Sequence, residues 1–520
     1  MKALLLYPLF PKTFWSFEKA IALAGRKTLL PPLGLITVAA ILPQSWEFRL
    51  VDRNVRSETE DDWAWADLVI ISGMIVQQKD LIHLIHEAKQ RNKPVAVGGP
   101  YVSSVQKEVQ AAGADFLILD EGEITLPLFV DALEKGDSKG TFRANGEKPD
   151  VTQTPVPRYD LLELSAYAEM AVQFSRGCPF QCEFCDIIVL YGRKPRTKTP
   201  AQLIKELQTL YELGWRGSVF IVDDNFIGNK RNVKRMLREL APWMKECGYP
   251  FSFYTEASVD LAQDDELLDL MFITNFKAVF LGIETPDQDT LKLTKKHQNT
   301  RDPLIEGVKK INHSGIRVMA GFIIGFDGEK SGAGDRIIDF VEATAIPQAL
   351  FSMLQALPNT ALWHRLEKEG RLMVEKEYDI NQTTLINFEP TRPVEEIARE
   401  YINCFWQLYE PQKYLGRVYR HYIDMRVYET KKKFKMPALI DLKALFTIIW
   451  RQGIKRDTRV QFWKQLALIL IRNKKAFRGY LSTCAHLEHF IEYRTIVKDE
   501  IETQLDQLNL NQSNIERLVA

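Results

Sequence analysis

The sequence has few cysteines and no long apolar run. Only six cysteines occur in 520 residues, and three of them fall within eight positions. That distribution excludes a disulfide framework and predicts a metal site in a reducing cytosol. No stretch of about 18 uncharged apolar residues is present, which argues against a membrane-spanning helix. The opening residues Met1–Pro8 are apolar for too short a run to form a signal peptide, so we expect a buried strand there.

A net charge is also lacking, because 68 Lys and Arg residues balance 68 Asp and Glu residues. Nothing in the overall charge therefore indicates a nucleic-acid partner. The balance hides one basic region, since residues 411–480 carry 18 Lys and Arg against 4 Asp and Glu. The composition, 46% hydrophobic and 26% charged, is typical of a folded protein, and the length indicates roughly three domains.

Two stretches of the chain alternate short apolar strands with helical segments. Residues 1–135 contain five such units, which predicts a doubly wound Rossmann-like α/β domain that binds ligands at the carboxyl ends of its strands. After a linker over 136–158, six more units over 159–375 predict a partial (β/α)6 barrel with its chemistry on the loops after the strands. Residues 376–520 are predicted to be helical. The predicted strands are Ala3–Tyr7, Glu47–Val51, Leu68–Ser72, Val95–Val97, Phe116–Leu119, Ala171–Phe174, Ser218–Val222, Phe251–Tyr254, Ala278–Gly282, Val318–Ile324 and Ala349–Leu354.

The clearest motif follows the first strand of the second stretch. Cys178, Cys182 and Cys185 have the spacing Cys-x-x-x-Cys-x-x-Cys. Three thiolates on a short loop can bind three irons of a 4Fe–4S cluster and leave the fourth iron open to a small molecule. A zinc knot or an unligated group of cysteines is the alternative. Structural zinc requires four ligands, the nearest other cysteine is Cys247, and no histidine occurs between positions 86 and 297.

This loop, with the aromatic residue Phe184 before its third cysteine, resembles the radical S-adenosylmethionine (SAM) superfamily. The resemblance implies that the open iron chelates the amino and carboxylate groups of SAM. An electron from the cluster then cleaves SAM and releases a 5′-deoxyadenosyl radical. It also implies that Cys178, Cys182 and Cys185 bind the cluster and that Phe184 lies beside the adenine.

Later strand ends agree with that resemblance. Val222–Phe226 is similar to an Asp-Asp-x-Phe segment of the cobalamin-type subgroup, Leu281–Thr285 to a Gly-x-Glu-Ser/Thr segment, and Gly321–Glu329 to a Gly-x-Ile-x-Gly-x-x-x-Glu pattern. Carboxylates at a strand end could pair with the SAM ammonium, and glycines suit a close approach of backbone and ligand. Taken singly, each carboxylate could instead be an exposed strand-end residue. The predicted SAM-binding residues are Phe184, Asp223, Asp224, Glu284, Gly321, Ile323 and Gly325.

The first domain is similar to the cobalamin-binding domain that precedes the barrel in class B radical SAM methyltransferases. By this resemblance the cobalamin-binding residues are Pro8, Asp52, Ser72, Gly98, Gly99, Glu121 and Gly122, all at predicted strand ends. The sequence departs from the methionine-synthase type, because Leu9–Lys12 replaces its Asp-x-His-x-x-Gly segment. The domain's only histidines, His83 and His86, are expected on a packed or solvated helix face, so the lower cobalt ligand is not predicted. A Rossmann-like domain that binds no corrin is the alternative.

The resemblance implies methylation of an unactivated carbon, with an electron donor such as flavodoxin or ferredoxin. The opening segment Tyr7–Phe17, the segment Leu30–Leu35 and the helical C-terminal region also resemble the hopanoid C-2 methylase branch, which implies a lipid-like substrate. Two alternatives remain open. One is a radical cyclase or oxidase of the anaerobic tetrapyrrole cyclase type, and the other is a non-catalytic iron–sulfur or cobalamin sensor.

The basic region allows two interpretations. Residues 438–450, followed by Arg451 and Lys455–Arg456, could lie at an anionic membrane surface. The alternative is a helical cap on the barrel with a solvated basic face. The sequence thus predicts a cytoplasmic enzyme and leaves a peripheral membrane contact open.

Overall fold

A computed structural model describes residues 1–300, 303–373, 380–427 and 439–519. The predicted domain boundary at 375/376, Asp302 at the start of a predicted helix, and Ala438 in the basic region lie outside the described residues. The chain forms two compact units. The first comprises Met1–Lys12, Gly25–Gln181 and Cys185–Glu256, and the second comprises Thr13–Ala24, Cys182–Phe184 and Ala257–Ala520.

The first unit begins with a six-stranded parallel sheet of order β2-β1-β3-β4-β5-β6. Its strands are β1 (Lys2–Tyr7), β2 (Glu47–Asp52), β3 (Leu68–Ser72), β4 (Val95–Gly98), β5 (Phe116–Ile118) and β6 (Gly140–Phe142). The central strands are continuous buried apolar runs, as expected for a parallel sheet that is covered on both faces. The chain order reverses between β1 and β3, which is where doubly wound sheets bind their ligands.

Helices connect these strands and confirm the predicted doubly wound architecture. They are α2 (Leu33–Ile41), α3 (Glu60–Trp65), α4 (Gln78–Gln90), α5 (Pro100–Ser104), α6 (Gln106–Ala111) and α7 (Gly122–Glu134). The core under the sheet contains Leu5, Leu35, Phe116 and Phe129. One strand was not predicted, because β6 falls in the segment interpreted as a linker; its Phe142 stacks on Phe116 with ring centroids 6.4 Å apart.

The first unit also contains the opening strands of the second alternation. These are β7 (Glu169–Val172), the short antiparallel pair β8 (Ser175–Arg176) and β9 (Arg196–Thr197), β10 (Ser218–Ile221) and β11 (Ser252–Ala257), with helices α8 (Ile187–Leu190), α9 (Pro200–Glu212) and α10 (Lys230–Glu246). Strand β10 pairs in parallel with β7 and with β11. Helix α9 begins where it does because Thr199 and Gln202 form a capping box, with Pro200 in the first turn.

The second unit continues with three parallel strands in the order β12-β13-β14. They are β12 (Phe276–Glu284), β13 (Arg317–Ile324) and β14 (Gln348–Met353). The accompanying helices are α11 (Asp265–Ile273), α12 (Gln288–Leu293), α13 (Leu304–His313), α14 (Ala333–Thr344) and α15 (Ala361–Lys368). The pairing register shifts between Gly282 and Glu284, so β12 carries an irregularity at its carboxyl end.

The described C-terminal residues are mostly helical, as predicted. The helices are α16 (Val394–Leu408), α17 (Pro411–Ile423), α18 (Leu439–Trp450), α19 (Arg459–Arg472), α20 (Phe477–Ala485) and α21 (Leu487–Val519), with a π-helical turn at Arg451–Lys455. Within the described residues, no helix is both long and apolar enough to cross a membrane.

A segment from the beginning of the chain belongs to this second unit. It contains α1 (Glu18–Leu23) and three aromatic residues that precede it. Phe14 stacks on Phe490 with centroids 4.8 Å apart, and its carbonyl oxygen lies 2.9 Å from Nε2 of His489. Trp15 packs edge-on against Phe280 of β12. Residues 13–24 thus complete the core of a unit whose other strands and helices lie more than 200 residues further along the chain.

Candidate functional site

The cysteine motif lies on the loop between β8 and β9. Arg176 pairs with Arg196 across this two-stranded ribbon, and the N–H of Cys178 donates to the carbonyl oxygen of Gly192 (3.3 Å). Gly177 has a φ of +91°, and a Cβ there would lie 2.8 Å from the Gly192 carbonyl oxygen. Only glycine fits that position, because the backbone is left-handed and the returning chain is too close.

Three ion pairs hold the base of this loop to the turn after β5. Glu121 accepts hydrogen bonds from Arg176 (2.9 Å) and from Arg196 (2.7 Å), and Arg176 also bonds Glu123 (2.9 Å). Burial acts to raise the pKa of Glu123, but the hydrogen bonds and charge of Arg176 outweigh it and lower that pKa. Glu121 was predicted at the cobalamin; its carboxylate contacts the arginines on either side of the cysteine loop.

Each of two cysteine sulfurs has a side-chain amide nearby. Nδ2 of Asn225 lies 3.9 Å from Sγ of Cys178, and Nε2 of Gln298 lies 3.7 Å from Sγ of Cys182. Amide donors beside sulfur stabilise thiolates and are a usual feature around iron–sulfur clusters, so these surroundings fit a cluster. Within the described part of the chain, no three His, Cys, Asp or Glu side chains are arranged to hold a single metal ion.

The two carboxylates after β10 have different surroundings. Asp223 is buried and accepts hydrogen bonds from the Phe174 N–H (2.8 Å) and the Ser175 hydroxyl (2.6 Å), so it fixes the strand end that leads into the cysteine loop. Burial raises the pKa of Asp223 to about 6. Asp224 is half-buried and accepts from the Gly177 N–H (3.4 Å); burial, and then the charge of Asp223, raise its pKa to about 7.

Glu284, at the end of β12, has a left-handed backbone with a φ of +65°. Its carboxylate forms an ion pair with Lys296, whose Nζ also lies 5.8 Å from the centre of the Phe184 ring. A Cβ on Gly282 would lie 2.5 Å from Oε1 of Glu284, so the ion pair occupies the space that a side chain at 282 would need. Left-handed non-glycine residues persist where the surroundings enforce them, and they concentrate at functional sites.

The chain after helix α12 contributes polar groups that the sequence analysis missed. Asn299 donates to the carbonyl oxygens of Gly282 (3.0 Å) and Ile283 (2.9 Å). Oδ1 of Asn299 and Oε1 of Gln298 are buried and have no hydrogen-bond partner among the described residues. Buried acceptors without a donor are costly, so they fit a ligand that donates hydrogen bonds, as the ammonium or adenine amine of SAM would. No motif in the sequence marks these two residues.

Packing explains two glycines, Gly321 within β13 and Gly325 directly after it. A Cβ on Gly321 would lie 2.8 Å from the Phe280 ring, and one on Gly325 would lie 2.7 Å from Ile386. Gly325 also has a φ of +99°, and its N–H donates to Oε2 of Glu329 (2.8 Å). The Gly-x-x-x-Glu spacing therefore closes this turn, since Glu329 bonds the backbone four residues earlier. Burial raises the pKa of Glu329 to about 7.

The other predicted SAM residues lie beside these. Ile323 is half-buried in β13. Phe184 packs against Phe326 with ring centroids 5.6 Å apart. The predicted residues of the second unit thus share an environment built from the ends of β12 and β13.

Five predicted cobalamin residues lie at the carboxyl ends of β1 to β4. Gly99 has a φ of +94°, and a Cβ there would lie 2.4 Å from Oγ of Ser72, so the loops after β3 and β4 approach each other closely. The carbonyl oxygen of Pro8 accepts from Nε2 of Gln77 (2.6 Å), which ties the loop after β1 to the loop after β3. Such a crevice, with little side chain at its centre, fits a flat ligand.

Asp52, at the end of β2, and Gly122, after β5, lie at the same edge of the sheet. Asp52 is buried; it accepts hydrogen bonds from the Asn54 backbone (2.9 Å) and from the Tyr167 hydroxyl (3.1 Å), and burial raises its pKa. Gly122 begins helix α7. His83 and His86 are both exposed on α4, as expected for a solvated helix face.

Family models match three parts of the chain. Residues 20–130 match the B12 binding domain, residues 172–341 match the Radical SAM superfamily, and residues 360–503 match a domain of unknown function, DUF4070. The first two matches confirm the radical SAM resemblance, which was drawn from the cysteine loop, and the cobalamin-domain resemblance, which was drawn from the strand ends of the first domain.

Relatives extend over nearly the whole chain. An "Uncharacterized methyltransferase sll1242" of Synechocystis is 66% identical over 99% of this chain and 96% of its own length. The "Hopanoid C-2 methylase" of Rhodopseudomonas palustris is 37% identical over 91% of this chain and 90% of its own length.

Solved structures support the fold. The cobalamin-dependent SAM radical enzyme OxsB has a TM-score of 0.61 over 97% of this chain and 81% of its own, at 14% identity. The methyltransferase TsrM from Kitasatospora setae has a TM-score of 0.57 over 71% of this chain and 78% of its own, at 16% identity.

These relatives decide between the three functions left open by the sequence. The whole-length relatives are named as methyltransferases or methylases, which does not favour a cyclase or a sensor. The chain therefore belongs to the cobalamin-binding radical SAM methyltransferases, enzymes that use a 4Fe–4S cluster, SAM and cobalamin.

Proposed function

We propose that this methyltransferase acts on a hopanoid or a similar polycyclic lipid and replaces a hydrogen on an unactivated carbon with a methyl group. The proposed substrate rests on the similarity to the hopanoid C-2 methylase. This similarity extends over 91% of the chain and therefore includes most of the helical C-terminal region. That region matches a domain of unknown function, and we assign to it the substrate specificity that differs from other members.

Different residues of the chain are assigned to the different cofactors. Cys178, Cys182 and Cys185 hold the cluster, and the amides of Asn225 and Gln298 stabilise two of the thiolates. When bound, the cluster supplies the electron that cleaves SAM, and cobalamin supplies the methyl group.

SAM would be held by the polar groups beside the cysteine loop. In the first unit, the carboxylate of Asp224 is assigned to the SAM ammonium. In the second unit, Oδ1 of Asn299 and Oε1 of Gln298 are assigned as acceptors for N–H groups of SAM. Phe184 provides the flat apolar surface for the adenine. Glu284 acts through its ion pair with Lys296, and Gly321, Ile323 and Gly325 shape the wall.

Cobalamin would lie over the carboxyl ends of β1 to β5. Ser72, Gly98 and Gly99 let the corrin approach the backbone, and Pro8, Asp52 and Gly122 form the rim of the crevice. Asp223 and Glu121 are assigned supporting roles, because their carboxylates hold the ends of the cysteine loop. The described histidines of this domain, His83 and His86, are exposed on α4 and are assigned no role toward cobalamin.

Three further assignments accompany this proposal. The domain division is 1–135, 159–375 and 376–520, with 136–158 as the connection. A small electron-transfer protein such as flavodoxin or ferredoxin reduces the cluster. No residue is assigned as a general acid or base, because hydrogen abstraction by a carbon radical does not require one.

The test is an anaerobic assay of the reconstituted holoenzyme with SAM, a reductant and a hopanoid. The expected products are 5′-deoxyadenosine and a hopanoid that is one CH2 unit heavier, both absent for Cys182→Ala. Cys484→Ala is the control, since Cys484 is a buried cysteine of α20 that does not belong to the motif. Formation of 5′-deoxyadenosine with an unchanged hopanoid, but with methylation of a tetrapyrrole offered in parallel, would reject the substrate and keep the reaction class.

A further inference from the structure

Helices α18 and α19 and the π-helical turn between them expose an unusual amount of apolar surface. Of the eighteen large hydrophobic side chains that are exposed in the described residues, eight fall between positions 442 and 471. Phe446 is 67% exposed and Ile471 is 79% exposed. We refer to these eight residues as the C-terminal apolar face: Leu442, Phe446, Trp450, Ile454, Val460, Trp463, Leu470 and Ile471.

Helical spacing arranges this face into two stripes. Leu442, Phe446, Trp450 and Ile454 recur every four residues, and the rings of Phe446 and Trp450 stack with centroids 6.4 Å apart. Val460, Trp463, Leu470 and Ile471 follow the spacing of one side of α19. Residues that recur in this way share one side of a helix, so the exposed apolar groups are contiguous along each stripe.

The exposed stripe of α19 is additional to the side that packs against the protein. Phe462, Leu466 and Ile469 are buried on the other side of the same helix. Nε1 of Trp463 donates to the carbonyl oxygen of Gly453 (2.8 Å), which joins α19 to the turn that carries Ile454. A helix that is apolar on its exposed side as well as its buried side indicates a second apolar partner.

The charges around the apolar face are almost all positive. Residues 442–480 contain ten Lys and Arg residues and one acidic residue, Asp457. Exposed basic side chains interleave with the apolar stripes; they are Lys443, Lys455, Arg459, Lys464, Arg472, Lys474 and Arg478. An apolar stripe bordered by Lys and Arg and carrying two tryptophans has the composition of a helix that lies in the plane of a membrane interface.

We propose that the C-terminal apolar face docks on an anionic lipid bilayer, with its apolar side chains among the acyl chains and its basic residues among the headgroups. Charge complementarity favours this occupant over a protein partner, because the excess of positive charge matches a surface of uniform negative charge. The docking is peripheral, since none of the described helices can span a membrane. It does not depend on which substrate is methylated.

The experiment is co-sedimentation of the full-length holoprotein with vesicles, without substrate. Vesicles of phosphatidylcholine alone are compared with vesicles that also contain phosphatidylglycerol. We expect binding to the anionic vesicles that weakens as salt is added, because both the apolar face and the basic residues contribute. Absence of binding to the anionic vesicles would overturn the proposal, and it would leave methyl transfer untouched because no turnover is measured.

Paired variants separate the two contributions. Phe446→Ser with Ile471→Ser should weaken binding at least about tenfold through lost apolar burial. Lys455→Glu with Lys464→Glu should weaken it about 30-fold or more, since each basic residue near such a surface contributes roughly fivefold. The controls are Leu213→Ser, an exposed apolar residue elsewhere, and Lys245→Glu with Lys368→Glu, two exposed lysines elsewhere.

The controls should bind as the wild type does, and thermal unfolding should show that every variant is folded. Equal loss in variants and controls would contradict the assignment of this face. A wild-type dimer in light scattering that Phe446→Ser with Ile471→Ser converts to monomer would also contradict it, because a second copy of the chain would then cover the face.

Discussion

The amide of Gln298 is positioned to tune the iron–sulfur cluster through a single side chain. Its Nε2 lies 3.7 Å from Sγ of Cys182, and both residues are buried. We expect Gln298→Leu to retain the cluster but to shift its reduction potential by about 40 mV in the negative direction. The shift follows from the loss of one donor to sulfur, about 1 kcal/mol for one electron.

A redox titration followed by electron paramagnetic resonance measures this shift. Gln407→Leu is the matched control, because Gln407 is a half-buried glutamine of α16 whose side chain bonds Asn403 and Lys413 rather than a cysteine. Equal potentials for Gln298→Leu and wild type would mean that this amide has no influence on the cluster.

Gly99 allows a separate prediction about the cobalamin-binding edge. Gly99→Ala combines a left-handed backbone with a Cβ 2.4 Å from Oγ of Ser72. Gly136→Ala has a similar φ of +86° but meets no atom within 4 Å. We expect Gly136→Ala to lower the free energy of unfolding by about 1 kcal/mol, because of its backbone conformation alone. Gly99→Ala should lower it by roughly 1 to 3 kcal/mol more than Gly136→Ala does, because of the added clash.

Chemical denaturation of the two variants gives this difference, and hydroxocobalamin titration should show weaker binding for Gly99→Ala alone. If both variants lose the same stability, the loops after β3 and β4 can separate without penalty, and Gly99 is then required only for its backbone conformation.

Some of these side chains were predictable and others were not, for a physical reason. The three cysteines follow from local spacing, because a loop that binds a cluster needs its thiolates within a few residues. Gln298 and Asn299 approach the site through a segment without a motif or a periodic pattern, more than 100 residues after the cysteines. Amides have no characteristic spacing, so only the folded chain reveals them.

Strands were predictable to within a few residues wherever they are buried on both faces. Leu68–Ser72 was predicted with the observed bounds, and Val318–Ile324 differs from β13 by one residue. The missed strands are short: β6 has three residues and begins with Gly140, and β8 and β9 have two residues each. Such strands are held by tertiary pairing rather than by an apolar run, so their sequences resemble loops.

The β8–β9 ribbon should depend on Glu121. Glu121→Gln leaves Arg176 with Glu123 but removes the charge shared with Arg196. Leaving a buried cation partly unpaired costs about 2 to 4 kcal/mol, so we expect the cysteine loop to open more often. Faster hydrogen–deuterium exchange over residues 176–197 and a lower iron content after reconstitution are the expected results.

Asp120→Asn in the same turn is the control for this prediction. Oδ2 of Asp120 accepts from the Ala144 N–H, an interaction that an asparagine oxygen can replace. Exchange over residues 176–197 that remains unchanged in Glu121→Gln would show that the remaining partners of the two arginines suffice to hold the loop.

The division of the whole chain was the hardest feature to predict. Residues 13–24 were assigned to the first domain by their position, yet Phe14, Trp15 and Phe17 pack within the second unit. Phe17 lies 4.7 Å, ring to ring, from His486. Local periodicity carries no information about contacts between residues more than 450 positions apart. A sequence pattern therefore could not reveal that residues 13–24 pack in the second unit.

Two buried histidines of the helical C-terminal region should make the stability of the whole molecule depend on pH. Burial, with a further contribution from the charge of Arg317, lowers the pKa of His421 to about 3 and that of His486 to about 3, from 6.5. A depressed folded-state pKa means that the unfolded chain binds more protons. Stability is therefore fully present above pH 6.5 and is lost as the pH falls toward 3.

Between pH 7 and pH 5 we expect each of these histidines to remove about 2 kcal/mol from the free energy of unfolding. Urea denaturation at several pH values measures that loss. His421→Asn should have lower stability at pH 7 but a shallower pH dependence, since one proton-binding difference is removed.

His83→Asn, at an exposed position on α4, is the control and should keep the pH dependence of the wild type. If the free energy of unfolding of His421→Asn depends on pH as steeply as that of the wild type, His421 is protonated in the folded protein. Local opening around Tyr422 and Arg317 would then have to expose His421 before the chain unfolds.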